Sequence, residues 1–477
     1  MPPVVKAFDS PPEAAIRIFH PKAYNLTFPM PVSPARAAAF DILLRVERQS
    51  SYASDLLHSS AYETLSPADH ALTTELTMGV LRWRSALDEE ITPASSQPLS
   101  KLDPEILIAL RLALYQLRWL DRIPPRAALH ESVELVKRAR KRSAAPFVNA
   151  VLRKLANSTQ LYQEMPEGAT LSPQALARAC SHPLWLVERW AAAYGLPAAH
   201  HICRHNQSAP TTSLRIRATT DAQLRAEAIE LAPGALLASA RRVTGGDITK
   251  TQAFRTGQVV IQDEASQLVA ALVGRGSRIL DCCAAPGGKT QAVADRNPDA
   301  TVTALELHPH RARLLQAQLA RTSDSHAIHV RTADASHLPP SPDYDRVLAD
   351  VPCSGTGTLA RNPEIKWRLK PEDLVDLRAR QHAILRSALS QVAPGGRLIY
   401  STCSLEKEEN ENVVEQALKE TNSFRLRDCV LELARLKAEG ELTWPDPTSL
   451  TSGPYLRTLP GLHPCEGFFA AILERPS

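Results

Sequence analysis

The chain has 477 residues, 44% of them hydrophobic, which is enough for about three packed domains at ordinary domain size. Lys and Arg (55) nearly balance Asp and Glu (51), so a charge-driven disordered chain is excluded. No stretch is apolar enough to span a bilayer, no signal-peptide pattern opens the chain, and the eight cysteines show no CxxC pair, disulfide ladder or zinc spacing. A cytoplasmic, monomeric protein with neither membrane nor metal partner is expected.

Residues 1–32 are rich in Pro and poor in periodicity and read as a loose tail. Residues 33–165 read as an all-α domain. Ser33-Pro34 is a helix cap with a first-turn proline, and Ala37, Ala38, Phe40, Leu43 and Leu44 follow at helical spacing. A second helix over residues 102–120 carries Ile106, Leu107, Leu110, Leu114 and Leu117 until Pro124-Pro125 breaks it; residues 127–141 and 146–155 supply more. Residues 101–160 hold twelve Lys and Arg against five Asp and Glu, densest at Lys137-Arg138-Ala139-Arg140-Lys141-Arg142. Such a local excess reads as a surface facing a polyanion.

Residues 166–250 suggest a small α+β connector. A helix runs from Pro183 to Tyr194 and stops at Gly195, residues 212–217 alternate as a strand, and residues 222–231 look helical. Arg215 and Arg217 alternate with apolar residues on that strand, offering one face to RNA or to ordinary solvent.

In residues 251–477 strands alternate with helices: 259–262, 278–283, 301–307, 328–332, 345–351, 396–402 and 467–473. This is the pattern of a doubly wound, Rossmann-like α/β domain, which gathers its ligands at the carboxyl ends of its strands. Two cysteines stand at such ends, Cys353 in ADVPCSGTG and Cys403 in YSTCS, with Asp350 beside the first. Two thiols and an acid on one rim point to covalent chemistry on an electrophilic ring. Cys180, Cys203 and Cys282 read as small core residues.

The segment Asp281-Cys282-Cys283-Ala284-Ala285-Pro286-Gly287-Gly288-Lys289-Thr290 is strand, glycine turn and helix. A phosphate loop requires glycine where Cys283 stands, and a dinucleotide fingerprint requires more than the pair Gly287-Gly288. The remaining reading is S-adenosyl-L-methionine. Glycines let the backbone approach its methionine part, and the free amides of a helix start can receive its carboxylate. Glu306, closing the next strand, is placed for both ribose hydroxyls, and Asp334, closing the strand after that, for the adenine amino group.

AAPGGKT, DVPCSGTG followed by NPEIKW, and STCS followed by Glu408-Glu409-Asn410 resemble the RNA cytosine-5 methyltransferases of the Nol1/Nop2/Sun family. The helical front end, with LDPEILIALRLALYQLRWLDRIPPRAALHESVELVKRA and FVNAVLRKLA, is similar to NusB-type RNA-binding domains. The resemblance runs from about Ser33 to the end of the chain. It implies Cys403 as nucleophile, Cys353 as the second cysteine needed for product release, and Cys283 to Lys289, Glu306, Asp334 and Asp350 around the cofactor. It also implies RNA as partner, 16S ribosomal RNA in the first place, with transfer RNA or a non-catalytic RNA-binding assembly role as alternatives. Two departures show: the family commonly has Asp at Glu306, and Asp rather than Glu466 before Gly467-Phe468-Phe469.

The chemistry asks for these groups. C5 of cytosine is too weak a nucleophile until a thiolate adds at C6, and a free thiol, with a pKa of ~8.5, is only a few per cent ionised at neutral pH. Lys289 or a backbone dipole could raise that fraction, and Asp350 could hydrogen-bond N3 of the ring. Arg361, Lys366 and Trp367 follow the Cys353 loop and could grip phosphate and stack a base, or Trp367 could be ordinary core.

Overall fold

The computed structural model describes residues 32–158, 172–320 and 327–477. The expected tail falls outside these residues except for Val32, and so does the expected boundary at 165.

The front end is helical throughout. Prolines enter the first turns of helices Pro34–Gln49, Pro67–Arg82, Pro104–Trp119 and Pro125–Arg138, where the missing amide costs no bond. Helix Pro104–Trp119 is buried on nearly every side, Ile108 to Leu114 included, which marks it as the central helix of this domain. Its Arg111 survives burial by a bidentate pair with Asp88, both bonds 2.7 Å. In the basic run Lys141 pairs with Asp103 while Arg138, Arg140 and Arg142 are exposed.

The connector is two structures rather than one. Helices Pro173–Ala179, Leu184–Tyr194 and Leu196–Gln207 share a core with Leu359, Ile365 and Leu405, which follow the cysteine-bearing ends of two strands of the main sheet. A four-stranded antiparallel sheet follows, in order β2-β3-β1-β4, from β1 (Ser213–Ile216), β2 (Glu230–Pro233), β3 (Ala240–Gly245) and β4 (Val259–Ile261). Strand β4, expected in the α/β domain, instead pairs with β1, Leu214 opposite Ile261. The expected helix over 222–231 is shorter, Asp221–Ala226, and its last residues open β2.

The main sheet is built from β5 (Arg278–Asp281), β6 (Thr301–Glu306), β7 (Ala327–Thr332), β8 (Tyr344–Asp350), β9 (Val392–Thr402), β10 (Arg425–Arg427), β11 (Thr451–Ser452), β12 (Tyr455–Arg457) and β13 (Phe469–Glu474). Its order is β11-β12-β13-β9-β8-β5-β6-β7, with β10 beside β13. Strands β5 to β9 run parallel; β5, β6, β9 and the end of β8 are largely buried and read as apolar runs, while β7 at the sheet edge is mostly exposed. Connections leave β5 toward β6 on one side and reach β8 on the other, so the turn after β5 opens at a topological switch point. Among the described residues no helix is long and apolar enough to cross a membrane.

Candidate active site

Strands β8 and β9 are neighbours in register, Asp350 opposite Ser401. Cys353 and Cys403 lie just past that pair, and their Sγ atoms are 3.4 Å apart. Three motif loops interlock around them. The Gly357 amide donates to the Cys403 carbonyl and the Gly467 amide to the Gly357 carbonyl, both at 2.9 Å. A Cβ on Gly357 would stand 2.1 Å from the Gly467 oxygen, so only glycine fits where these backbones cross.

Bridging the two cysteine loops is a carboxylate whose residue type, within Glu408-Glu409-Asn410, gives no sign of it. Glu409 is fully buried and accepts from the Ser354 amide (2.8 Å), the Ser354 and Ser404 hydroxyls and the Gln381 side chain (2.8 Å). It therefore ties the loop of Cys353 to the loop of Cys403. Asn410 adds a bond to the Ser404 carbonyl at 2.9 Å.

Electrostatics distinguish the groups. A hydrogen bond with Cys403, reinforced by burial, pushes the Cys353 thiol well above the usual range, so it stays protonated at neutral pH. Lys289 Nζ lies 2.9 Å from Asp350 Oδ2, and Ser401 donates to Asp350 Oδ1 at 2.7 Å. Burial works against the charge on Lys289; Asp350, with a contribution from Cys403, outweighs it and raises its pKa. The same ammonium stands 4.8 Å from the centre of the Phe468 ring. Asp281, at the end of β5, is pushed up to about 6 by burial and keeps bonds from Thr290 (2.7 Å) and the Cys283 amide.

The glycine turn follows β5, with the Ala285–Pro286 bond cis and Gly287 at φ +111°, a conformation that favours glycine. Gly288 starts helix Gly288–Arg296, whose first amides have no intrahelical acceptor. Glu306 ends β6 almost buried; it receives the His308 amide at 2.9 Å, and Arg311 is 3.7 Å away, so its remaining lone pairs are free for a diol. Burial pushes the Cys283 thiol well above its usual range, and Asp281, Asp350 and Glu306 all add to that shift, which places one neutral thiol among three carboxylates. Asp334, two residues past β7, is exposed, and its Oδ1 accepts the Ser336 hydroxyl and amide, which hold its pKa below the usual carboxylate range. This donor set fits a cofactor with a carboxylate at one end and a ribose diol in the middle.

Other expected contacts lie elsewhere. Lys366, 1% exposed, donates to the carbonyls of Arg82 (2.9 Å) and Ser181 (2.7 Å), and Trp367 Nε1 donates to the Leu81 carbonyl at 2.6 Å. Arg361 pairs with Glu466 at 2.5 Å. The segment after Cys353 is thus a clamp on the front-end helices, not a phosphate grip. Arg215 and Arg217 both bind Asp295, which turns them inward. Cys180, Cys203 and Cys282 are buried, as expected of core thiols.

Residues 271–474 match the family described as "16S rRNA methyltransferase RsmB/F", and residues 33–157 match the NusB family. A "Probable ribosomal RNA small subunit methyltransferase B" of Bacillus subtilis (strain 168) is 37% identical over 408 residues, 83% of this chain and 90% of that protein. The chain belongs to the RsmB/F family. Another relative with which it aligns is the "Ribosomal RNA small subunit methyltransferase B" of Vibrio cholerae, 31% identical over 468 residues, 95% of this chain and 99% of that protein. Among solved structures, PH0851 shares the fold with a TM-score of 0.77 at 23% identity, covering 94% of this chain and 99% of that one. The RsmB/F match covers the α/β sheet with both cysteine loops, and the NusB match covers the helical front end, so both expected halves of the fold are present.

Proposed function

We propose that this RsmB/F member methylates C5 of a cytosine in 16S ribosomal RNA, with S-adenosyl-L-methionine as donor and Cys403 as covalent nucleophile. The observation that carries the reading is the pair of sulfurs 3.4 Å apart, beside the Lys289–Asp350 pair at 2.9 Å. Gly287, Gly288, Glu306, Asp334 and Asp350, with the Cys283–Lys289 turn, are the residues that would hold the donor, which supplies an electrophilic methyl when bound.

Cys403 Sγ bonds to C6 of the ring, and the C5–C6 electron pair moves to C5, which thereby becomes the nucleophile for the methyl. The Lys289 ammonium, paired with Asp350 at 2.9 Å, and Asp350 together offer a proton relay to N3 as the adduct forms. Water, acting as base, takes the C5 proton, N3 returns its proton to the Asp350–Lys289 pair, and the C6–S bond breaks with its electron pair leaving on Cys403. A thiol at Cys353 that holds its proton at neutral pH is suited to donate toward Cys403 as it departs.

Tritium transfer from labelled S-adenosyl-L-methionine to 16S RNA, with bisulfite mapping of the product, tests the reading. Cys403→Ala should abolish transfer while still binding S-adenosylhomocysteine, and Cys353→Ala should accumulate a protein–RNA adduct stable to denaturing gels. Full activity in Cys403→Ala would refute the nucleophile; an unmethylated C5 in the wild-type product would refute the reaction.

A further inference from the structure

The helical front end sends one side chain into the catalytic mouth. The turn at residues 50–52 joins helix Pro34–Gln49 to helix Ala53–Leu57, with Ser50 at φ +53°. Arg368, at the end of the clamp after Cys353, donates to the carbonyls of Val46 (2.8 Å), Ser50 (2.9 Å) and Ser51. Glu364 accepts the Ala53 amide at 2.8 Å, and Asn362 accepts the Ser54 hydroxyl at 3.0 Å. Tyr52 is therefore fixed by bonds on both sides, all to the segment that carries Cys353.

Tyr52 is nonetheless 46% exposed. The Arg368 guanidinium lies 5.8 Å from the ring centre, and the ring lines a cavity of about 320 Å³ together with Cys353, Ser354, Leu369 and Arg380. Burial raises the Tyr52 pKa, Arg368 opposes it, and Glu364, followed by Cys403 and Cys353, adds to the rise. Asp373 and Asp376 line the same cavity against Arg368 and Arg380, which leaves the walls without net charge. Such walls do not select a phosphate. They suit a flat, neutral ring with polar edges, and the volume is at the small end for ligand sites. Cys353 lines the cavity and Cys403 does not, so the occupant lies beside the nucleophile rather than over it.

We propose that Tyr52 is a stacking platform for the nucleobase next to the target cytosine, so that the NusB-like domain takes part in presenting the RNA strand to the cysteines. This rests on the RNA methyltransferase reading above. An aromatic face stacks any base and so tolerates sequence, while the cysteine site alone selects the target.

The test uses the full-length enzyme and RNA carrying the mapped cytosine. Tyr52→Ala should lower kcat/KM for RNA about 10-fold, the scale of one lost base stack. Affinity for S-adenosylhomocysteine should stay the same. Tyr52→Phe should restore most of the loss, and Tyr52→Leu, which keeps apolar bulk without a flat ring, should not. Wild-type enzyme should show a similar loss on RNA with an abasic site on one side of the target, and Tyr52→Ala should lose little more on that RNA. Additive losses, a fully active Tyr52→Ala, or a Tyr52→Phe as impaired as Tyr52→Ala would each overturn the stacking role while leaving the reaction standing. A wild-type chain that methylates no RNA would instead overturn the reaction, and the stacking role with it.

Discussion

Replacing Glu409 by alanine removes a carboxylate acceptor that both cysteine loops share. Once the carboxylate is gone, the Ser354 hydroxyl can donate to Ser404 Oγ at 3.0 Å and the Ser404 hydroxyl to Thr356 Oγ1 at 3.4 Å. The Ser354 amide and one hydrogen of the Gln381 amide have no such replacement; Gln381 keeps its bond to the Pro352 carbonyl at 2.9 Å. Two buried donors without partners, at about 1–3 kcal/mol each, put the cost near ~4 kcal/mol. At about 2–4 °C per kcal/mol for a domain of this size, the melting temperature should fall by roughly 8–16 °C. Glu409→Gln keeps one acceptor and should lose about half as much. Because the bonds set where the two loops sit, kcat should fall about 100-fold in Glu409→Ala, as a misplacement of around an ångström does. Affinity for S-adenosylhomocysteine should hold, since Glu409 touches none of the donor-binding turn. Differential scanning calorimetry and tritium release measure the two effects. A Glu409→Ala enzyme that melts lower yet turns over at the wild-type rate would show that the separation of the sulfurs does not depend on this carboxylate.

Burial lowers the Lys366 pKa from 10.5 to about 7, against Cys203 and Cys180, with Arg82 adding to the fall. Above pH 7 the folded chain sheds this proton before the unfolded chain does, so Lys366 makes stability rise with pH between about 7 and 10.5, by at most about 1.4 kcal/mol per pH unit. Lys366→Met should flatten that slope in urea titrations at pH 7.5 and 9.5; equal slopes in the two proteins would mean the ammonium is not desolvated. Glu306→Ala should weaken S-adenosylhomocysteine binding by about 10-fold or more in calorimetry, the scale of a lost hydrogen bond to a charged group, without altering RNA affinity. Unchanged binding would move the ribose site elsewhere.

What the sequence showed plainly was chemistry held by local geometry. Pro34 and Pro104 mark helix starts because their rings fit a first turn, and the runs before Cys353 and Cys403 read as buried parallel strands. What it concealed was held by long-range partners. Val259–Ile261 looks like any short apolar strand, and only its pairing with Leu214 to Ile216 puts it in the small sheet. Arg215 and Arg217 look like free cations until Asp295, about eighty residues on, takes both. Lys366 and Trp367 resemble an RNA grip because their real acceptors are backbone carbonyls, which no residue type announces. Glu409 lies five residues after Ser404, and an acid this close behind the Cys403 turn is the local signal of its tether.

The two cysteine loops are anchored outward to different parts of the chain. After Cys353 the chain runs through Glu364, Lys366, Trp367 and Arg368 into bonds with the NusB-like helices. After Cys403 it runs through Leu405 and Glu406, where Tyr194 donates to the Leu405 carbonyl, Trp190 donates to Glu406 at 3.0 Å and Arg189 pairs with Glu406 at 2.6 Å. The helices of residues 173–207 in turn touch the front end, where Ser181 binds the Ser85 amide at 3.1 Å and Gln207 reaches the Arg82 carbonyl. A shift of the helical front end on the sheet would therefore pull on both sulfur loops by separate routes, while Glu409 resists their parting from below. In this arrangement the NusB-like half of the chain is not a tether carried beside an independent sheet domain. It is one wall of the site, and the distance between the two thiols is set jointly by the domains on either side of them.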